Sequence, residues 1–289
     1  MRATRIADGA GKGEAWRYCL DLVRKTDKDR FLSALFAPDQ HRMPLLALYA
    51  FNVETARICE HISEPMLGEI RLEWWHGEVA GLFAGRVGDH PVLRALSGPA
   101  MSGRLSRRGL ETLLQARRFD LYDDSMPTVD DLESYLDKTS SSLIEMACSI
   151  LAGEGGATAA RAAGVAYGLV GLMRALPIHN RHGQCYIPAD LLKMHAMTRA
   201  DIVSGLWSRP YGEVLATLRR IVRDRLSQAR MYAQNLPPRL LPAFLPVSLV
   251  DLYLKQLESA VAQSVKQTGD VSQLRKQWRL WSCALRERF

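Results

Sequence analysis

Three stretches of this 289-residue chain bring together side chains that could do chemistry. The first is FDLYDDSMPTVDD at 119–131, where Asp120, Asp123 and Asp124 form a DxxDD pattern. Carboxylates at that spacing, on a helix facing a cavity, can hold magnesium bound to a diphosphate. However, Pro127 follows closely, and Thr128 reads as a helix N-cap with Asp130 and Asp131 in the first turn. These signals predict a polar turn with Asp123 and Asp124 in solvent, with a metal site at Asp120, Asp123 and Asp124 as the alternative. The second stretch, HNRHGQC at 179–185, offers His179, His182 and Cys185 at soft-ligand spacing. No second cluster completes four ligands, so a glycine-containing loop is expected. The third, LYAFNVETARICEHISEP at 48–65, sets Asn52, Glu54, Arg57 and Glu60 into an otherwise apolar helix.

Two basic stretches bear on partners. RLSRRGLETLLQARRF carries Arg104, Arg107, Arg108, Arg117 and Arg118 without interleaved aromatics. It predicts a solvated basic face and no nucleic-acid groove. In the C-terminal LRKQWRLWSCALRERF, Leu274, Trp278, Trp281 and Leu285 share a helical face flanked by Arg275, Lys276 and Arg279. That stripe is expected to pack as the last core helix. The alternative is an amphipathic helix lying on an anionic membrane. The chain has no GxSxG, Walker loop or strand-linked GxGxxG.

The elements that must position these residues read as helices. Leu45, Leu48, Tyr49, Val53 and Ala56 recur at spacings of three and four, as do Leu72, Trp75, Val79 and Leu82. Residues 128–152 read as one helix, opened by Thr128 and closed by Gly153. Helices are also expected at 157–175, 210–233, 240–264 and 272–286. With no convincing strand, linker or repeat, the reading is a single all-α domain over 1–289.

Composition narrows the class. Hydrophobic residues make up 47% and charged residues 24%, as in soluble globular proteins. The net charge of +7 permits a diphosphate, an anionic membrane or nucleic acid without selecting one. Five scattered cysteines with no CxxC fit a reducing compartment. The N-terminal MRATRIADGAGKGEAW has no apolar signal core, and no apolar run is expected to approach a bilayer span.

Two segments carry a resemblance. APDQHRMPLLALYAFNVETARICE (37–60) and GLVGLMRALPIHNRHGQCYIPADLL (168–192) resemble the squalene/phytoene synthase family, from about residue 15 to 285. There the segments read like YAFCRxxDDxxD and QLxNIxRDxxEDxxxGRxYLP. Tyr49, Ala50 and Phe51 match the first, and Arg174, Gly183, Tyr186 and Pro188 the second. The resemblance implies an all-α isoprenoid-synthase type domain with a central cavity. It also implies a reaction, head-to-head prenyl condensation, in which aspartate-held magnesium draws off a diphosphate.

Position by position, the first motif's acids fall on Ala56, Arg57 and Glu60, and the second's on Ala175, Ile178 and His179. One acid of six survives, and Pro177 is expected to interrupt the second helix. Arg57, Arg174, His179 and Arg181 could still grip a diphosphate, but ionising it without the metal cage is a far harder task. Residues 50–54, AFNVE, followed by Ser63, Glu64, Gly68, Arg71 and Trp75, resemble instead the branch of respiratory complex I assembly factors.

The resemblance therefore implies a non-catalytic protein that assists assembly of complex I (NADH:quinone oxidoreductase). Its partners would be complex I subunits or assembly intermediates, it would need no cofactor, and it would reside in a bacterial cytoplasm, at most peripheral to the inner membrane. Asn52, Glu54, Arg57, Glu60, Arg174, His179 and Tyr186 are the ligand-binding candidates, with a bridge from Arg174 to Glu54 or Glu60 expected as a structural role. Two alternatives stay open. One is a diverged, Mg2+-dependent prenyl transferase using Glu54, Glu60 and Asp120–Asp124. The other is a protein that binds a prenyl lipid without chemistry.

Overall fold

The computed structural model describes residues 2–62, 64–122, 124–205, 208–262 and 270–289. All regular structure among them is helical. In chain order the helices are α1 (Arg2–Thr26), α2 (Lys28–Ala34), α3 (Asp39–Ala56), α4 (Pro65–Phe83), α5 (Pro91–Met101) and α6 (Arg107–Arg117). There follow α7 (Val129–Leu136), α8 (Ser142–Ala152), α9 (Ala157–Arg181), α10 (Ala189–Met194) and α11 (Arg199–Val203). The last are α12 (Arg209–Ala233), the single turn α13 (Leu241–Phe244), α14 (Val250–Ala262) and α15 (Gln273–Arg286). Contacts gather them into two compact units, each discontinuous in sequence.

The first unit holds Met1–Leu121, Ser142–Gly156 and Pro237–Ala243. Its centre is α3, where every residue from Leu45 to Val53 is buried. A helix apolar on all sides must be covered on all sides, and α1, α5 and α8 cover this one. Helix α4 buries the Leu72, Trp75, Val79 and Leu82 stripe that its spacing predicts.

The second unit holds Tyr122–Ser141, Ala157–Leu236 and Phe244–Phe289. Its long helices α9 and α12 pack along one another. Against α9 lies a π-helical turn, Asp137–Ser141. Gly164 permits that approach, since a Cβ there would sit 2.3 Å from Ser141 Cα and 2.4 Å from Ser141 N. Helices α7 and α8 are thus two helices joined by the π turn, where a single helix was expected. The caps stand: Thr128 forms a capping box with Asp131, and Gly153, at φ +85°, ends α8 in the left-handed region.

Other expectations need correction. Helix α9 runs through Pro177 to Arg181, so the proline does not end it. Only one further turn follows, and the ring of His179 in that turn lies 4.8 Å from the ring of Tyr186. His179, Asn180 and Arg181 are accordingly helical, not part of a loop. The 240–264 helix is broken by a 3-10 turn at Leu245–Leu249. Two stretches, Ala157–Arg181 and Pro238–Ser259, do reach the length and hydropathy of a membrane span, but 50% and 72% of their apolar windows are buried inside the fold. That burial marks core helices.

Candidate functional site

The first motif lies on the last two turns of α3 and the 3-10 turn behind it, Cys59–His61. Asn52 is buried, and its Oδ1 accepts a hydrogen bond from Arg117 Nη2 at 3.3 Å. Arg117 also pairs with Asp120 at 3.0 Å, and Asp120 is buried. This chain of polar contacts ties α3 to the end of α6. It places Asp120 in a structural ion pair and Arg117 in the interior, away from the expected solvated face. Asp124 is exposed, and Asp123 and Ser63 lie outside the described residues. Arg104, Arg107 and Arg108 are exposed, as expected of a solvated basic face, and three arginines of the stretch besides Arg117 also have partners. Arg104 donates to the Ile150 carbonyl, Arg107 to Glu111, and Arg118 to Glu73.

The three acid positions have a different chemistry from a metal cage. Ala56 is half-buried and carries no donor. Arg57 Nε donates to Glu60 Oε2 at 3.2 Å, so the remaining acid of the motif is spent on the cation that replaced another. Glu54, one turn earlier, accepts a hydrogen bond from the Tyr18 hydroxyl of α1. Burial, then the bond to Glu54, push the Tyr18 phenol up to about 12.

Beside these residues opens a cleft of about 810 Å³ within the first unit. Leu22, Val53, Ile58, Ile62, Leu67, Ile70, Trp74 and Trp75 form its apolar walls, while Glu54, Arg57, Arg71 and His90 supply the polar groups. His90 organises the aromatic wall. Its ring stands edge-on to Trp75 at 5.0 Å, to Trp74 at 5.8 Å and to Tyr18 at 6.0 Å. Its Nδ1 accepts the Val92 amide at the start of α5. Burial lowers its pKa, which Glu54 and Glu78 oppose and Arg71 reinforces. Sequence reading did not single out Tyr18, Trp74 or His90. The signal for His90 was the dipeptide His90–Pro91, a capping residue before a proline at the first helical position.

The second motif lies at the end of α9 in the second unit. Arg174 makes its contacts within that unit. Its guanidinium lies 3.7 Å from the Tyr253 ring centroid and donates to Asp270 at 3.0 Å. Lys276, with only 3% of its side chain exposed, holds the other oxygen of Asp270 at 3.0 Å. Burial works to raise the Asp270 pKa, but the Lys276 hydrogen bond and charge and then Arg174 win, and the carboxyl is held below its ordinary value. Arg174 was legible as a site residue; its partners, 79 and 96 residues downstream, were not. Ala175 is half-buried, Ile178 is exposed, and neither can bind a cation through its side chain. The His179 ring is tilted by 52° against that of Tyr186, which is buried and whose ring lies 5.7 Å from that of Tyr135.

The donor set does not suit magnesium. That ion takes oxygen ligands in octahedral geometry. Among the described residues, no three His, Cys, Asp or Glu side chains converge to hold a metal ion. The one surviving motif acid, Glu60, is turned to Arg57, and its neighbour Glu54 to Tyr18.

The assembly factor 6 of NADH dehydrogenase (ubiquinone) complex I from Bos taurus is 29% identical over 259 residues, 89% of this chain and 78% of that protein. The Homo sapiens protein of the same description is 28% identical over the same shares. The crystal structure of a dehydrosqualene synthase in complex with ligand superposes with a TM-score of 0.82, over 95% of this chain and 97% of that one, at 18% identity. The sequence profile of squalene/phytoene synthases matches residues 23–282, and the chain belongs to the squalene/phytoene synthase family.

Proposed function

We propose that this chain has left prenyl transfer and assists assembly of the respiratory NADH:quinone oxidoreductase, complex I, from the cytoplasmic side of a bacterial inner membrane. The observation that carries the reading is the chemistry at the acid positions. Ala56, Ala175 and Ile178 cannot ligate a cation, and Arg57 neutralises Glu60. Departure of a diphosphate demands positive charge that is preorganised where negative charge develops. Without the carboxylates that would hold magnesium, that charge is missing. Similarity to proteins named as complex I assembly factors supports the choice of process, with complex I subunits or assembly intermediates as partners.

Deletion of the gene tests the reading. The expected outcome is a loss of assembled oxidoreductase on native gels and of NADH:quinone activity in membranes, restored by the wild-type chain. Full assembly in the deletion strain would refute it.

A second reading is favoured by the cleft in the first unit. Its apolar walls and the Arg57 and Arg71 cations suit an amphipathic prenyl lipid held without chemistry. This predicts saturable binding of a prenyl ligand that magnesium does not tighten; absence of saturation would dismiss it.

A further inference from the structure

The helix α15 is mounted with its apolar face outward. Leu274, Trp278, Trp281 and Leu285 fall within one narrow stripe at 100° per residue, and they are 79, 68, 49 and 65% exposed. The opposite face is pinned. Lys276, Leu280 and Cys283 are buried, and the helix packs on Leu245–Leu249. Lys276 holds Asp270, while Arg279 donates to the Ser248 carbonyl at 3.1 Å and to Asp251 at 3.2 Å. Rotating α15 to bury the tryptophans would break all three bonds. The expected packing role of the stripe is thus overturned: the charged face is the inner one.

We infer that α15 is a docking surface for an anionic lipid bilayer. Two tryptophans and two leucines on one helical ridge match the interfacial mode, in which apolar side chains enter the headgroup boundary while cations stay outside. The cations are in place. Arg275 and Arg286 are exposed on one flank and Arg288 just beyond; within residues 273–289 the one acid is Glu287, also exposed, and Asp270 before the helix is neutralised by Lys276 and Arg174. The chain's net charge of +7 has the matching sign. The stripe is a ridge of protruding side chains about 17 Å long at 1.5 Å per residue, which a fluid bilayer can receive without a shaped groove. This inference goes beyond the assembly reading and stands or falls apart from it.

The test uses the full chain with vesicles of phosphatidylcholine, with and without phosphatidylglycerol. The expected result is co-sedimentation with the anionic vesicles alone, a blue shift of tryptophan emission, and weakening with added salt. The double substitution W278S/W281S should abolish binding at an unchanged melting temperature, because both side chains face solvent. The pair Leu274→Gln and Leu285→Gln gives the same test without removing an aromatic group. R275Q/R286Q should weaken binding about fivefold for each charge removed. Absence of vesicle binding, equal binding by W278S/W281S, or a stripe-dependent dimer in place of vesicle binding would overturn the inference.

Discussion

At the scale of single residues, the site is made of side chains that neutralise one another. Arg57 occupies Glu60, Tyr18 occupies Glu54, and Arg117 occupies both Asn52 and Asp120. The Arg57–Glu60 pair is exposed and contributes little to stability. The Arg117–Asp120 pair is buried, and removing one partner strands a charge. Asp120→Ala should cost about 3 kcal/mol in chemical denaturation, whereas Asp124→Ala, at an exposed position, should be silent. His90 gives a pH dependence. Its pKa is lowered in the fold, so the unfolded chain binds its proton first, and the stability it contributes is present above about pH 6.5 and lost as pH falls through the folded value. Protonation also removes the acceptor for the Val92 amide. The unfolding free energy of the wild type should therefore fall more steeply below pH 6.5 than that of His90→Gln, measured by urea titration; parallel curves would contradict this. The lost acid positions were legible only through the resemblance to the family's two motifs, carried over position by position. The partners of Arg174 were not, because Tyr253 and Asp270 meet it through folding, not through any local period.

At the scale of elements, most of the fold was readable where local signals were strong. The existence of α3, the stripe of α4, the Thr128 N-cap and the Gly153 stop all follow from spacing and capping chemistry. Features decided by tertiary packing were not readable. The π turn at Asp137–Ser141 arises where the chain meets α9 at Gly164, and nothing in the local periodicity marks it. Gly164→Ala should therefore destabilise by about 2–3 kcal/mol, since the obstructing atoms are backbone and cannot swing aside. Gly171, on the same helix, has open space where a methyl group would stand. Gly171→Ala should stabilise by up to about 1 kcal/mol through helix propensity. Thermal melts of the two variants would separate close approach from propensity; equal shifts would refute the packing argument. The outward stripe of α15 belongs here too. Amphipathic spacing shows that a helix has two faces, but only the bonds made by Lys276 and Arg279 reveal which one faces inward.

At the scale of the whole molecule, the chain keeps the helical fold of its family while its motif positions carry different chemistry. Fold persistence is expected from the core: α3 is buried on every side by apolar residues that the acid substitutions do not touch. The proposed loss of catalysis rests on a few motif positions, which explains how a chain can match a synthase fold at a TM-score of 0.82 and yet gather no cluster of metal-holding side chains among its described residues. The most direct measurement is release of pyrophosphate from farnesyl and geranylgeranyl diphosphate by the folded, full-length protein, with and without magnesium. No release above the uncatalysed rate under either condition is the predicted result. Magnesium-dependent turnover, with a prenyl product extracted, would contradict the central claim and return the chain to the prenyl transferases.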